Sequence, residues 1–289
     1  MRSHFISASD GLKLHAAEYG ERAMPRLPVV CLPGLARTAA DFHDLATALA
    51  TDPETPRRVI AADYRGRGLS AYDPDPMNYA YATELADLES VLTALDLGPA
   101  VFVGTSRGGI LTMLMAALAP ARIAGAVLND IGPVIEPAGL MRIKGYVGKL
   151  PQPQNFADGG AILHRLFGAQ FPKRSESDWI AAARLTWRDE DGRLVLMYDP
   201  LLSRTLDALD TEQLIPTLWP QFESLAQVPA MVIRGVLSDI LSAATVAEMQ
   251  RRHPGLEVVE VADEGHPPDL GTPDMLRRIS RFARACDAA

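Results

Sequence analysis

Residues 100–118 admit few folds. Ala100-Val101-Phe102-Val103 is an apolar run of strand length, and Ile110 to Leu118 is a second apolar run that reads as a buried helix. Gly104-Thr105-Ser106-Arg107-Gly108 joins them. A strand that turns directly into a helix brings two backbones together, and small residues on either side of Ser106 remove the side chains that would collide there. Such a turn holds its central residue in a strained conformation, and Gly-x-Ser-x-Gly between strand and helix has the form of a nucleophile elbow. Taken alone, the pattern also suits a glycine-rich turn with an N-capping serine. The strand before it and the helix after it favour the reactive reading.

The rest of the chain supplies a sheet for this unit. Asp10-Gly11 between residues 5–7 and 13–19 predicts a hairpin. Val29-Val30-Cys31-Leu32 and Arg58-Val59-Ile60-Ala61-Ala62 are unbroken apolar runs, as strands buried on both faces should be. Helical spacing appears over 41–49 and again near 80–96, where Leu85, Leu88, Leu92 and Leu95 recur before Gly98-Pro99. A strand is expected at 124–130. From about 134 to 225 no strand is evident; helical stretches at about 137–148, 158–167, 176–187 and 211–225 are separated by proline-rich joints. Alternation then resumes with strands at 229–234 and 256–261 and helices at about 243–252 and 273–285. The expected architecture is α/β: a mostly parallel eight-stranded sheet with helices on both faces. The expected domains are a core of residues 1–133 and 226–289 and a helical subdomain of 134–225, too long to be a loop.

At 289 residues the chain can bury about three-quarters of its unfolded surface. Its net charge of -8 argues against a nucleic-acid partner, which would want a basic face. Cys31 and Cys286, at opposite ends, form neither a disulfide framework nor a metal-ligand spacing. No run approaches the length of a membrane span, and Met1-Arg2-Ser3-His4-Phe5 lacks a signal-peptide core, so a cytoplasmic location and no membrane partner are expected.

Ligands of open α/β sheets bind beyond the carboxyl ends of the strands. Gly34 with Leu35, Ser106, Asp239 and His266 all follow strand ends, and Asp130 ends the strand at 124–130. Ser106, Asp239 and His266 arrive in the chain order of nucleophile, acid and base in the α/β-hydrolase triad. With Leu32-Pro33-Gly34-Leu35, Asp63-Tyr64-Arg65-Gly66-Arg67-Gly68-Leu69-Ser70, the elbow, Ser238-Asp239 and Gly265-His266, the chain resembles an α/β-hydrolase fold enzyme over nearly its whole length. The Asp-x-Arg-Gly-x-Gly-x-Ser stretch is a mark of that family's single-domain esterases, lactonases and carbon–carbon hydrolases.

The resemblance implies roles for these residues. Ser106 is the nucleophile, His266 the base that activates it, and Asp239 the acid that orients His266. Asp130 is the alternative acid, or else caps the turn at Gly132-Pro133, and Asp239 would then serve as a helix N-cap. The family's oxyanion hole implies backbone N–H donors at Arg107 and Leu35, although Pro33 stands where the family usually has histidine. The Arg107 side chain is expected on a nearby carboxylate such as Asp130. Arg37 is a candidate for binding a substrate carboxylate or carbonyl, with a surface role as the alternative. Asp63, Arg65 and Ser70 are expected to knit their own loop. The helical insertion would cap the site, and Leu166, Phe167, Trp179, Trp187, Met197 and Tyr198 would form its core or line an apolar pocket.

The function so implied is hydrolysis of a small carboxylic ester or lactone through an acyl-enzyme, without metal or cofactor. Serine at position 106 excludes the dehalogenases and epoxide hydrolases of this fold, which need a carboxylate there. A carbon–carbon hydrolase of a diketone, an acyltransferase and a ligand receptor with vestigial turnover remain compatible. The substrate is a small molecule of unspecified identity, and the oligomeric state is left open.

Overall fold

The amino-terminal hairpin forms where Asp10-Gly11 places it. In the computed structural model, which describes residues 1–207 and 215–288, β1 (Arg2–Ser7) and β2 (Lys13–Tyr19) pair antiparallel. Gly11 turns the chain with a φ of +86°. The alternating half follows: β3 (Val29–Leu32), α1 (His43–Ala50), β4 (Val59–Asp63), α2 (Tyr81–Ala94), β5 (Ala100–Thr105), α3 (Arg107–Leu118) and β6 (Ile123–Asn129). The insertion contributes α4 (Pro137–Tyr146), α5 (Phe156–Phe167), α6 (Glu176–Arg184), β7 (Trp187–Glu190), β8 (Arg193–Leu196) and α7 (Trp219–Glu223). The chain then returns through β9 (Ala230–Gly235), α8 (Ala243–Arg252), β10 (Glu257–Val261) and α9 (Pro273–Cys286).

Eight strands form one sheet in the order β1-β2-β4-β3-β5-β6-β9-β10. Only the β1–β2 and β2–β4 pairings are antiparallel. From β4 to β10 all strands run parallel, so their carboxyl ends share one edge. Register explains the unbroken apolar runs. Val30, Ile60, Phe102, Leu128 and Val232 face one core, while Val29, Cys31, Val59, Val101, Val103, Val127 and Met231 face the other. Each central strand is thus buried on both sides. Cys31, with no exposed surface, is an interior thiol whose pKa burial raises.

The insertion differs from expectation in its strands and in two helix bounds. β7 and β8 form an antiparallel hairpin within a stretch read as strandless, and the helix expected over 176–187 ends at Arg184. Asp191-Gly192 carries the turn, both residues having positive φ. This Asp-Gly signal was present in the sequence, but charged Arg188, Asp189, Glu190 and Arg193 mask the strand pattern around it. Of the helix expected over 211–225, Trp219–Glu223 is helical, and 211–214 lie outside the described residues.

Apolar residues of the insertion divide between two cores. Ile162, Leu163, Phe171, Trp179, Ala183, Trp187 and Leu194 form a cluster of their own. Ile143, Val147, Tyr198, Leu202 and Phe222 join the main core. Phe167 packs edge-on against Tyr146, with ring centroids 5.0 Å apart, Met197 is half-buried, and Leu166 is exposed. Among the described residues no helix is long and apolar enough to cross a membrane.

The loop after β4 is knitted by charge, as its residues suggested. Asp63 accepts from the Ala39 and Leu69 amides and from His15 Nδ1, and the Ser70 hydroxyl donates to the Asp63 carbonyl. Arg65 donates to Asp10, Asp73 and Asp87. Beside it lies a fully buried carboxylate that sequence reasoning missed. Glu84, on α2, accepts from Arg67 Nη1 at 2.7 Å and Arg107 Nε at 2.7 Å. Burial by itself would raise the Glu84 pKa, but the two guanidiniums outweigh it and hold the carboxyl below its ordinary value.

Removing that charge leaves two buried cations without a counter-ion. Glu84→Gln is expected to destabilise the protein by about 3 to 5 kcal/mol at neutral pH in urea unfolding. Because the folded pKa is depressed, the contribution is present above the unfolded value of about 4.3 and is lost as pH falls through the folded one. The gap between wild type and variant should therefore narrow below about pH 4.

Candidate active site

Ser106 is built into the elbow as the sequence implied. It sits between β5 and α3 with φ of 50° and ψ of -112°, a strained conformation for a residue with a side chain. Its amide donates to the Asn129 carbonyl on β6, and its own carbonyl accepts from Gly109 and Ile110, the first turns of α3. The two flanking glycines are sterically required. A Cβ on Gly104 would meet the Gly108 backbone at 2.5 Å, and one on Gly108 would overlap the Leu32 carbonyl.

His266 arrives on the loop after β10. Its Nε2 lies 2.9 Å from Ser106 Oγ, and its Nδ1 lies 2.8 Å from Asp130 Oδ2. An ionised carboxylate only accepts, so Nδ1 carries the proton and Nε2 accepts from the serine hydroxyl. Asp130, the residue after β6, has a φ of +54° and no exposed surface. Its carboxylate also accepts from the Gly235 amide at 2.8 Å and the Ser238 hydroxyl at 2.5 Å.

The acid expected at Asp239 is therefore corrected. Asp239 lies past the turn closed by the Ser238 amide on the Gly235 carbonyl, and its carboxylate is engaged by Arg142 of α4 at 2.6 and 2.7 Å. Burial raises its pKa, but Arg142 and Gln170 more than reverse this, leaving it below the ordinary value. Nor is Asp239 the N-cap of α8, a position held by Ser242. In the Ser238-Asp239 pair it is Ser238 that turns inward, to support Asp130.

The oxyanion loop lies opposite. Gly34 backs onto Ser106: a Cβ on it would stand 3.8 Å from the Ser106 Cβ and 3.4 Å from Arg37 Cγ. The loop around Pro33 is held by three hydrogen bonds. Tyr64 donates to the Pro33 carbonyl at 3.2 Å, the Arg37 amide donates to the Gly34 carbonyl, and Arg67 Nε donates to the Leu35 carbonyl at 2.8 Å. Arg107, the residue after the nucleophile, sends its side chain away from the site. Its partner is Glu84 and not Asp130, with further contacts to the Tyr79 carbonyl and the Tyr81 ring. One carboxylate thus ties Arg67, which holds the Leu35 peptide, to Arg107, whose peptide begins α3.

Arg37 does not present a free guanidinium. Nε and Nη2 clasp Asp41 at 2.7 and 2.5 Å, and Nη1 donates to Thr186 of the insertion at 3.1 Å. It therefore clamps core to insertion. Arg142, Tyr146 and Gln170 were not singled out from sequence, because nothing in a helix's own pattern says which loop it will cover. Glu84 left a fainter trace, as an acid one turn before Leu88 on the buried stripe of α2. Among the described residues, no group of His, Cys, Asp and Glu side chains is arranged to hold a metal ion.

The model of the alpha/beta hydrolase family matches residues 29–279. A 3-hydroxybutyrate-oligomer hydrolase of Cupriavidus necator is 33% identical over 272 residues, covering 92% of this chain and 90% of that protein. An esterase of Escherichia coli is 37% identical over 269 residues, covering 88% and 92%. The crystal structure of an alpha/beta hydrolase from Novosphingobium aromaticivorans superposes with a TM-score of 0.89 at 39% identity, covering 98% of both chains.

The packing of the elbow can be tested directly. Gly108→Ala forces apart the Leu32 backbone and the start of α3, neither of which is a flexible side-chain end. It should lower stability by about 3 kcal/mol, measured by chemical unfolding.

Proposed function

The chain belongs to the alpha/beta hydrolase family, and on that premise we propose that it is a serine hydrolase cleaving a small carboxylic ester or lactone through an acyl-enzyme on Ser106. One observation carries the reading: Ser106 Oγ stands 2.9 Å from His266 Nε2, whose Nδ1 is held by the buried Asp130 carboxylate. A serine hydroxyl is a weak nucleophile until a base takes its proton, and this is the geometry in which His266 can do so.

Attack by Oγ on the ester carbonyl moves the hydroxyl proton to Nε2 and places negative charge on the former carbonyl oxygen. The Leu35 and Arg107 backbone N–H groups are assigned to that oxyanion; the Arg37 amide holds the carbonyl of the Gly34–Leu35 peptide, and Arg67 holds the carbonyl of the next one. Collapse breaks the C–O bond, and the leaving alkoxide takes the proton from His266. Water then repeats the sequence on the acyl-enzyme: it yields its proton to His266, attacks the acyl carbon and frees Ser106. Asp130 holds the imidazole in the required tautomer and stabilises the imidazolium. Asp239 has no part in these steps. The names of the relatives, an esterase and an oligomer hydrolase whose monomers are joined by ester bonds, support an ester over a carbon–carbon bond as the target.

A fluorophosphonate probe should label one residue, Ser106, and labelling should be lost in His266→Ala. No labelling of correctly folded wild-type protein would sink the mechanism. Asp130→Asn should lower kcat by about 10³- to 10⁴-fold, because the histidine loses the partner that sets its tautomer. Asp239→Asn should stay within about tenfold of wild type, since it changes an ion pair beside the site and not the relay itself. The reverse ranking would return the acid's role to Asp239.

A further inference from the structure

Arg174 stands apart from the other arginines of this chain. Among the described residues, every other arginine that is buried or half-buried has a carboxylate within ion-pair distance, from Arg57 with Asp287 to Arg142 with Asp239. Arg174 is half-buried and has none. Its guanidinium lies over the Phe171 ring, 3.9 Å from the centroid, and 5.5 Å from that of Trp179.

Its segment packs on the loop that carries His266. Gln170 packs so closely on Gly265, the residue before His266, that a Cβ there would stand 2.5 Å from the Gln170 side chain. Lys173 pairs with Asp263 at 2.6 Å on the same loop. The 168–174 segment is therefore pinned onto the loop that delivers His266. The charges that act on Arg174 are those of Glu264, Asp269, Arg37 and Asp178. Arg37 stands beside Gly34, which backs onto Ser106, and its own charge is answered by Asp41. Glu264 and Asp269 are not within ion-pair distance. Glu264 is engaged by the Asp269 amide, and burial raises its pKa. Burial also lowers the Arg174 pKa, the mark of a charge partly stripped of water and not repaid by a partner.

A half-desolvated guanidinium held over an aromatic face keeps its N–H donors available to a further partner. That arrangement suits two-point binding of a carboxylate. We propose that Arg174 binds a free carboxylate of the substrate, so that the preferred substrates are acidic esters: one carboxyl group esterified and cleaved, a second left ionised. The proposal rests on the serine-hydrolase reading and narrows its substrate class. A net charge of -8 gives such an anion no overall attraction, so the preference has to come from a local cation.

The test compares each acidic ester with its neutral methyl ester. Suitable pairs are the linear dimer of 3-hydroxybutyrate and its methyl ester, and the 4-nitrophenyl monoester of glutaric acid and its methyl ester. Wild type should favour the free acid of at least one pair by about tenfold or more in kcat/KM. In Arg174→Gln that ratio should fall by about 10- to 100-fold, chiefly through KM, and Arg174→Lys should restore part of it. Fluorophosphonate labelling of both variants at the wild-type rate reports that the fold and the triad are intact. A wild-type ratio near one for both pairs, or an unchanged ratio in Arg174→Gln, would overturn the assignment while leaving the serine mechanism standing. Failure of wild type to label would overturn the mechanism and this assignment together.

Discussion

The site depends on one buried carboxylate. Glu84 has no exposed surface and lies between Arg67 and Arg107. Arg67 holds the carbonyl of Leu35, and Arg107 is the first residue of α3. The two loops assigned to the oxyanion therefore belong to different strand–helix junctions but share one electrostatic anchor. Three buried charges cost a great deal to desolvate, and together they are tolerable because nearly every donor finds an acceptor. The same anchor removes the Arg107 side chain from the neighbourhood of the nucleophile.

Sheet order determines which acid meets His266. β6 and β9 are neighbours, and acids follow both. Asp130 directly follows β6 with a left-handed φ, which turns its carboxylate across the ends of β9 and the His266 loop, where it accepts from Gly235, Ser238 and His266. Asp239 lies one turn beyond its strand, far enough out to meet Arg142 of the insertion. One acid is thus committed to the core and the other to the junction between core and insertion. Arg37 makes a second such junction through Thr186, and Lys173 with Asp263 a third. Polar contacts of this kind place the insertion over the strand ends, while a separate apolar cluster keeps part of it folded on its own terms.

Much of this was legible in the chain. Apolar runs without alternation declared the central strands because both faces of a parallel sheet are covered. Helical spacing declared α2, and the glycines around Ser106 declared the elbow because nothing larger fits between β5 and α3. The hairpin at β7 and β8 was less legible, since its charged residues hide a short exposed strand pair behind a sound turn signal. Partners of charged side chains were the least legible. Arg37 read as a candidate for substrate and is a clamp; Arg107 read as a partner of Asp130 and belongs to Glu84.

The sequence by itself determined the sheet, the strained serine turn, and the order in which serine, acids and histidine reach one edge. These follow from local sterics and from periodicity, which each segment carries within itself. Only the tertiary structure decided that Asp130 and not Asp239 lies behind His266, that Glu84 gathers Arg67 and Arg107, and that Arg174, alone among the buried and half-buried arginines of the described residues, is left without a counter-ion. Each of those outcomes is a competition among several like-charged or oppositely charged groups for a few partners. It is decided by differences of a few ångströms between segments far apart in the chain, and no local pattern encodes them.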